Sequence, residues 1–388
     1  MSQTTDKLCE QRVTRLQQRM SDDGVDLLLV TDPDSIYYLS AYWGDLGVEF
    51  GRPSVLALGR DAEPVLITPT SESAMARAMT WVEDIRTYSD GVGGEWRDPL
   101  DALLDASGGA RIAVDRYRAP AVVAEYLRAR LDGADFPDGH PLVAEMRMIK
   151  SPAELAMIRQ AGRVAVAMGE AGKAAIGEGV PEYEVALACM NAGTRKAADI
   201  IGSEDPESLM SPMIHNLMVL PSGHETSVTH MHPRVRRIQR GDPVYMCFCC
   251  IAHFKQFKLG YDREYFVGEV SDERARIYEV AIEAQRVAVA AMRPGVTAEE
   301  VHRESLEVYL RNGFGASYRT GRAIGYSSLE KPELKDGDQT VLEPGMVFAV
   351  DGGVTVPGEF GARVGDTIIV TETGTECATE YPRALEVL

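Results

Sequence analysis

The feature that most constrains the fold of this chain is a helix start near residue 150. Ser151-Pro-Ala-Glu154 is a capping box, in which the Ser side chain accepts from the backbone N–H of the Glu and the Glu side chain accepts from the backbone N–H of the Ser. Proline at the first helical position strengthens the signal, because its fixed φ suits that position. The sequence pattern changes here, so we predict one domain over residues 1–145 and a second over residues 146–388.

The first domain is predicted to be an α/β layer. Residues 7–20 have the apolar spacing of an amphipathic helix, and the apolar run Val25–Val30 that follows ends at the turn Asp32-Pro33-Asp34. Further strands are predicted at residues 54–58, 64–67 and 111–114. Alternating elements of this kind pack as a sheet covered by helices.

The second domain is predicted to contain long helices. One runs from Ser271 to Met292 and ends at Arg293-Pro-Gly295. A second capping box, Thr297-Ala-Glu-Glu300, opens another helix that stops near Asn312. Strands are predicted at residues 244–250, 265–267, 346–350 and 367–370.

Net charge argues against two classes of partner. The formal charge is −19 and the isoelectric point is near 4.9, so the chain should repel nucleic acid and anionic membranes. No apolar run approaches the roughly 18 residues of a membrane helix, and the first residues lack the pattern of a secretory signal. Six cysteines in a chain of this length do not indicate a disulfide framework. We therefore expect a cytoplasmic protein with reduced thiols.

Short motifs occur along the chain in an order that identifies a family. They are Met146-Arg-Met-Ile-Lys-Ser151, Pro221-Ser-Gly223 with His230 downstream, Gly241-Asp242, Arg293-Pro-Gly295, Leu342-Glu-Pro-Gly-Met346 and Gly361-Ala-Arg-Val-Gly-Asp-Thr367. Each motif alone is common, but their joint order and spacing resemble the creatinase/aminopeptidase P superfamily over nearly the whole chain. The resemblance implies an α/β N-terminal domain followed by a C-terminal α+β domain with the pita-bread fold.

The resemblance also locates the metal-ligand positions of the family's metallopeptidases, which hold two metal ions with two Asp, one His and two Glu side chains. The matching positions here hold Cys247, Gly260, Arg322, Asp351 and Gly365. Glycine offers no ligand atom, and arginine would put a permanent cation inside the site. We therefore expect no metal and no other cofactor, with one alternative, a single weakly held ion near Asp262 and Asp366.

Two metal-free members, creatinase and ectoine hydrolase, suggest roles for the residues at these positions. His230 falls at the position of the histidine that shuttles protons in creatinase, and an imidazole suits that task near neutral pH. Asp262 and Asp351 fall where creatinase holds the cationic part of its substrate. Phe50 and Arg52 match a creatinase segment that binds the substrate carboxylate across the dimer interface, which implies a homodimer.

The anionic part of a substrate has further candidate partners in Arg263 and Arg322, because guanidinium groups bind carboxylates in a bidentate manner. Both signs of charge in one site suit a small zwitterion.

Cys247 allows two interpretations. It lies where ectoine hydrolases have a nucleophilic glutamate, but free cysteine on an apolar strand more often only packs. Strand alternation puts Cys249 on the same face and Cys250 on the other, and both of these are expected in the core. Two mechanisms therefore stay open, covalent attack by the Cys247 thiolate or attack by a water molecule that His230 activates.

These residues lead to one main hypothesis and two alternatives. The main hypothesis is a metal-independent hydrolase that opens a C–N bond of an amidine, cyclic amidine or amide in a small zwitterionic compound. The first alternative is an Xaa-Pro-type metallopeptidase, which requires a metal centre that these residues do not provide. The second is a catalytically inactive pita-bread domain that only binds a partner.

Overall fold

The computed structural model describes residues 3–44, 50–89, 91, 94–108, 110–131, 136–214, 219–248, 254–315 and 318–388. The chain divides into two compact units, Met1–Met146 and Arg147–Leu388. The boundary expected from the sequence lies one residue before this division. Each unit has its own sheet.

The N-terminal unit is built on a five-stranded mixed sheet. Its strands are β1 (Leu27–Val30), β2 (Val55–Gly59), β3 (Val65–Pro69), β4 (Asp84–Tyr88) and β5 (Ile112–Val114), in the order β4-β3-β2-β1-β5. Strand β1 pairs antiparallel with β2 and parallel with β5. The helices are α1 (Gln3–Asp22), α2 (Pro33–Ser40), α3 (Ser73–Met79), α4 (Arg97–Ala106), α5 (Ala121–Arg130) and α6 (His140–Met148), of which α6 ends two residues after the division.

Buried apolar runs explain most of this sheet. All four residues of β1 are buried, as expected for a strand that is covered on both faces. The sequence pattern predicts β1, β2, β3 and β5 but misses β4, because only Tyr88 of its five residues is buried. A strand without an apolar face has no periodic signal.

The C-terminal unit is built on a larger, seven-stranded sheet of antiparallel pairs. Its strands are β6 (Pro243–Cys247), β7 (Asp262–Phe266), β8 (Gly321–Ala323), β9 (Glu330–Leu334), β10 (Val347–Val356), β11 (Phe360–Val370) and β12 (Thr375–Cys377). Their order is β6-β7-β11-β10-β8-β9, and β12 pairs with β11. The helices are α7 (Pro152–Ala175), α8 (Glu182–Glu204), α9 (Asp272–Ala291) and α10 (Ala298–Arg311).

Both predicted capping boxes are present. Ser151 and Glu154 make the reciprocal bonds at the start of α7, and Thr297 and Glu300 make them at the start of α10. The α/β plus α+β fold class predicted from the sequence is confirmed. No helix in the part of the chain that the structure describes is long and apolar enough to cross a membrane.

Candidate active site

Four neighbouring strands of the C-terminal sheet bring four site positions into one row. Cys247 on β6 pairs with Asp262 on β7, Asp262 pairs with Gly365 on β11, and Gly365 pairs with Asp351 on β10. Residues that pair directly across antiparallel strands point to the same face of a sheet. The row therefore presents one thiol and two carboxylates on one face, with a glycine between the carboxylates.

The two carboxylates converge over Gly365. A Cβ atom added to this glycine would lie 2.7 Å from Asp351 Oδ1 and 2.9 Å from Asp262 Oδ2. Those distances are shorter than any normal carbon contact, so the pair can approach closely only because residue 365 has no side chain.

Asp351 is held in an environment that disfavours its charged form. Its Oδ1 atom is buried and has no hydrogen-bond partner among the described residues. Burial, followed by repulsion from Asp262, raises the pKa of Asp351 to about 7, although Arg322 and Arg319 oppose the shift. The side chain as a whole remains 32% exposed, so the group is accessible from solvent.

Asp262 is more deeply buried and accepts a hydrogen bond from the Tyr245 hydroxyl at 3.2 Å. The sequence interpretation missed Tyr245, although its spacing of two residues from Cys247 on a strand places both on the same face.

Arg322 lies beside the carboxylate pair, as the sequence predicts for a cation inside the site. Its Nη1 is 3.5 Å from Asp351 Oδ2, while its Nε donates to the carbonyl of Ser328 at 2.7 Å. Arg319, which the sequence analysis did not select, forms an ion pair with Glu333 at 2.7 Å. The site therefore combines two acidic groups with nearby cationic charge.

The prediction that Arg263 binds substrate is not supported, and the structure gives this residue a structural role. Successive strand residues point to opposite faces, so Arg263 points away from the face that carries Asp262. It is only 1% exposed. Its five N–H groups donate to Pro382 O, Asp262 O, Gly365 O, Asp366 Oδ1 and Tyr381 O, at 2.7–2.9 Å. No donor of this guanidinium is left for a ligand.

Cys247 is buried and packs with Val219 and Tyr245, and its backbone N–H donates to the Val219 carbonyl. Its pairing with Asp262 places it on the face of the carboxylates. Cys249 and Cys250, which were expected in the core, lie outside the described residues.

His230 lies in an exposed turn, where the N–H of Met231 donates to the carbonyl of Val228. Its ring makes no hydrogen bond or ion pair with any described residue. The structure therefore leaves this imidazole accessible.

Phe50 and Arg52 belong to the N-terminal unit. Phe50 is 66% exposed, and Arg52 Nη1 donates to its carbonyl at 3.4 Å. A large aromatic side chain this exposed is available for contact with another molecule.

The donor set at this row does not fit the two-metal centre of the family's peptidases. No group of three or more His, Cys, Asp or Glu side chains suited to a metal ion occurs within the described ranges. Catalytic transition metals take at least three protein ligands, whereas here two carboxylates face a buried guanidinium. We derive no catalytic step that involves a metal.

Comparison with known proteins identifies the family. Residues 156–372 match Metallopeptidase family M24, and residues 12–149 match the Creatinase/Prolidase N-terminal domain. The chain is 32% identical to an agropine synthesis cyclase of Rhizobium rhizogenes over 97% of both chains. It is 28% identical to a creatinase of a Bacillus species (strain B-0618), over 96% of this chain and 90% of the relative.

Among solved structures, an Xaa-Pro dipeptidase from Bacillus anthracis superposes with a TM-score of 0.83 at 25% identity. The match covers 98% of this chain and 100% of the dipeptidase. These matches confirm the resemblance inferred from the motifs. The chain belongs to the creatinase and M24 metallopeptidase family, and it is an enzyme of the hydrolase class whose creatinase and dipeptidase relatives act on carbon–nitrogen bonds.

Proposed function

We propose that this enzyme hydrolyses a C–N bond of an amidine, cyclic amidine or amide in a small zwitterionic compound, without a metal ion. The observation that carries the proposal is the pair of carboxylates over Gly365 with Arg322 beside it. A carboxyl group with a pKa near 7 can donate or accept a proton at neutral pH. The neighbouring cation can bind the anionic end of the substrate.

The roles of the two acidic groups follow from their surroundings. Asp262, which accepts the Tyr245 hydrogen bond, holds the cationic nitrogen of the substrate. Asp351, whose charged form is disfavoured, carries the proton. In the proposed step, water adds to the carbon and His230 takes a proton from it. The C–N bond then breaks, and the leaving nitrogen takes the proton of Asp351, which is afterwards restored from His230 through solvent.

Of the two mechanisms left open for Cys247, its surroundings favour the water mechanism. Cys247 packs against Val219 and Tyr245, and a free cysteine on an apolar strand usually acts as a small buried hydrophobic residue. The cysteine then only fills space in the row.

The anionic end of the substrate is assigned to Arg322 and, in a homodimer, to Arg52 of a second copy of the chain. The exposed position of Phe50 is compatible with a contact between copies. We also propose a cytoplasmic location, because the described part of the chain contains no disulfide.

A second candidate reaction on the same site is ring formation. It is favoured by the similarity to an agropine synthesis cyclase over 97% of both chains. The two reactions differ only in the nucleophile, which is water in hydrolysis and a hydroxyl or amine of the substrate itself in cyclisation. The carboxyl pair would serve both in the same way.

A metallopeptidase and an inactive binding domain both have less support than these two reactions. The metallopeptidase needs ligands that the described residues of this row do not supply. A domain that only binds a partner would not need a carboxyl group whose pKa is raised to about 7 by burial, and such groups are concentrated at catalytic sites.

The first test combines chelation with one substitution. Creatine, ectoine and Ala-Pro are assayed with protein purified in EDTA, and the products are analysed in ¹⁸O-labelled water. We expect turnover of a zwitterion that EDTA leaves unchanged, and a loss of about 10²- to 10⁴-fold in kcat for Asp351→Asn. One ¹⁸O atom in the product indicates hydrolysis, and none indicates cyclisation.

Asp272→Asn is the matched control, because this aspartate is exposed on α9 and lies outside the site row. It should leave turnover unchanged. Two tightly bound transition-metal ions per chain, with activity lost on chelation, would refute the metal-free proposal.

A further inference from the structure

The face of the sheet opposite the carboxylates carries a second buried set of polar residues that the proposed chemistry does not use. Its centre is Asp366, which follows Gly365 on β11 and points to the other face. We define the Asp366 cluster as Arg263, Gln285, Asp366, Thr379 and Arg383.

The Asp366 carboxylate is fully buried and accepts four hydrogen bonds. Its Oδ1 atom accepts from Arg263 Nη2 and Thr379 Oγ1, both at 2.9 Å. Its Oδ2 atom accepts from Gln285 Nε2 at 2.9 Å and from Arg383 Nε at 2.6 Å. A buried carboxylate with every position filled is rigid, because moving it would break several charge-assisted bonds at once.

Each of the three strands that form the carboxylate pair is attached to this cluster at the residue next to its site residue. On β7, Arg263 follows Asp262. On β11, Asp366 follows Gly365. On β10, the carbonyl of Val350, which precedes Asp351, accepts from Gln285 Nε2 at 3.1 Å.

Arg263 joins two of these strands directly. Its Nη1 donates to the carbonyls of both Asp262 and Gly365, at 2.7 and 2.9 Å. Those two residues are also the single pair in the register between β7 and β11. A junction of one residue pair is easily sheared, so the guanidinium supplies the connection that a longer ladder would otherwise provide.

Residues 381–383 also contact the Asp366 cluster. Arg263 donates to the carbonyls of Tyr381 and Pro382, and Arg383 reaches Asp366 from the same segment. Pro382 and Arg383 are thereby connected to the back of the site.

We propose that the Asp366 cluster positions the active site, by holding β7, β11 and β10 in the register that brings the two carboxylates together over Gly365. Its members are positioning residues, because they act from the far face and do not reach the substrate. The catalytic importance of the Asp366 cluster rests on the proposed function. Its effect on the spacing of the two carboxylates can be tested without any substrate.

The test measures the spacing of the carboxylates in substrate-free protein. The ¹³Cγ signal of Asp351, identified from its absence in Asp351→Asn, is titrated by NMR with EDTA present. If the cluster sets the spacing, Arg263→Lys and Arg383→Gln let the carboxylates separate. Repulsion from Asp262 then weakens, and the titration midpoint of Asp351 falls by about one pH unit.

Glu386→Gln is the matched control. It removes the ion pair with Lys173 from the same terminal segment, without a contact to Asp366. It should leave the midpoint unchanged, even if it lowers the melting temperature as much as the arginine variants do. A mere loss of stability would not move the midpoint of the folded protein.

Arg383 is 32% exposed, so its replacement should leave a folded protein even if Arg263→Lys does not fold. An Asp351 midpoint in Arg383→Gln equal to that of the wild type would overturn the inference. Because no substrate is used, this result is independent of whether hydrolysis of any compound is found.

Discussion

Gly365 lies under two carboxylates that reach over it from the neighbouring strands β7 and β10. The resemblance places a metal ligand of the peptidases at this position, and this chain has no side chain there. The absence does two things at once: it removes a ligand, and it opens the space in which Asp262 and Asp351 converge. A metal site and a closely coupled acid pair are therefore mutually exclusive uses of this position.

Gly365→Ala tests whether the missing side chain at residue 365 is what lets Asp262 and Asp351 converge, because it adds a single methyl group there. The new Cβ would lie within 3 Å of both carboxylate oxygens, so the two side chains must move apart. We expect a folded protein that loses activity by on the order of 10²-fold, because a displacement of about 1 Å at reacting groups has that effect. Turnover and melting temperature are measured on the same sample.

Gly202→Ala is the control for this substitution. Gly202 lies in α8 with no atom within 4 Å of an added Cβ, so alanine should be neutral or stabilise the helix by about 0.5–1 kcal/mol. Full activity in Gly365→Ala would show that the spacing of the carboxylates does not matter.

Among the elements, strand β7 carries acidic side chains on one face and a basic side chain on the other, because successive residues of a strand point to opposite faces. Asp262 and Glu264 point to one face and Arg263 to the other. Beyond Asp262 the strand no longer pairs with β11, and Glu264 takes over one ladder bond by accepting the N–H of Arg363 at 2.8 Å. The second oxygen of Glu264 is buried without a hydrogen-bond partner in the described structure.

Glu264 makes the free energy of unfolding depend on pH. Burial raises its pKa from 4.5 to about 8, so between these values the folded state binds more protons than the unfolded state. Stability should therefore fall as the pH rises from about 4.5 to 8, by up to about 1.4 kcal/mol per pH unit from this group. Glu264→Gln, which resembles the protonated acid, should remove that part of the slope in urea denaturation measured from pH 5.5 to 8.5.

The comparison variant is Glu279→Gln, an exposed glutamate on α9 that should keep the slope of the wild type. If Glu264→Gln also kept the full slope, Glu264 would be charged in the folded protein.

In the whole molecule, the expected site residues are distributed over both units. The C-terminal unit carries the row of site residues, and the N-terminal unit carries Phe50 and Arg52. Under the homodimer proposal, each site is completed by Arg52 of the other copy. A symmetric dimer would then have two equivalent composite sites.

Mixing two inactive variants tests this arrangement. Chains with Arg52→Ala and chains with His230→Ala are combined in equal amounts, and mixed dimers are verified by native mass spectrometry. Half of the dimers are then mixed, and each has one site without a lesion, so about a quarter of the wild-type activity should return. No recovery in verified mixed dimers would place Arg52 outside the site of the other copy.

The domain division, most of the strands and the family could be predicted from the sequence. The first two depend on local residue patterns, and the family depends on the order and spacing of short motifs. The capping boxes at Ser151 and Thr297 are formed by residues three apart, and their hydrogen bonds do not need the rest of the fold. The loss of ligand atoms at Gly260, Arg322 and Gly365 follows from residue type alone.

The assembly of the site was decided by tertiary contacts. The register of β7 with β6 and β11 decides which β7 residue lies in the row of site residues. That register puts Asp262 in the row and Arg263 on the opposite face of the sheet. The contacts of Tyr245 and Asp366 likewise depend on strand pairing, because Tyr245 on β6 donates to Asp262 on β7 and Asp366 on β11 accepts from Arg263 on β7. The closeness of Asp262 and Asp351, and with it the raised pKa of Asp351, results from burial and from a shared glycine neighbour, neither of which a linear pattern contains.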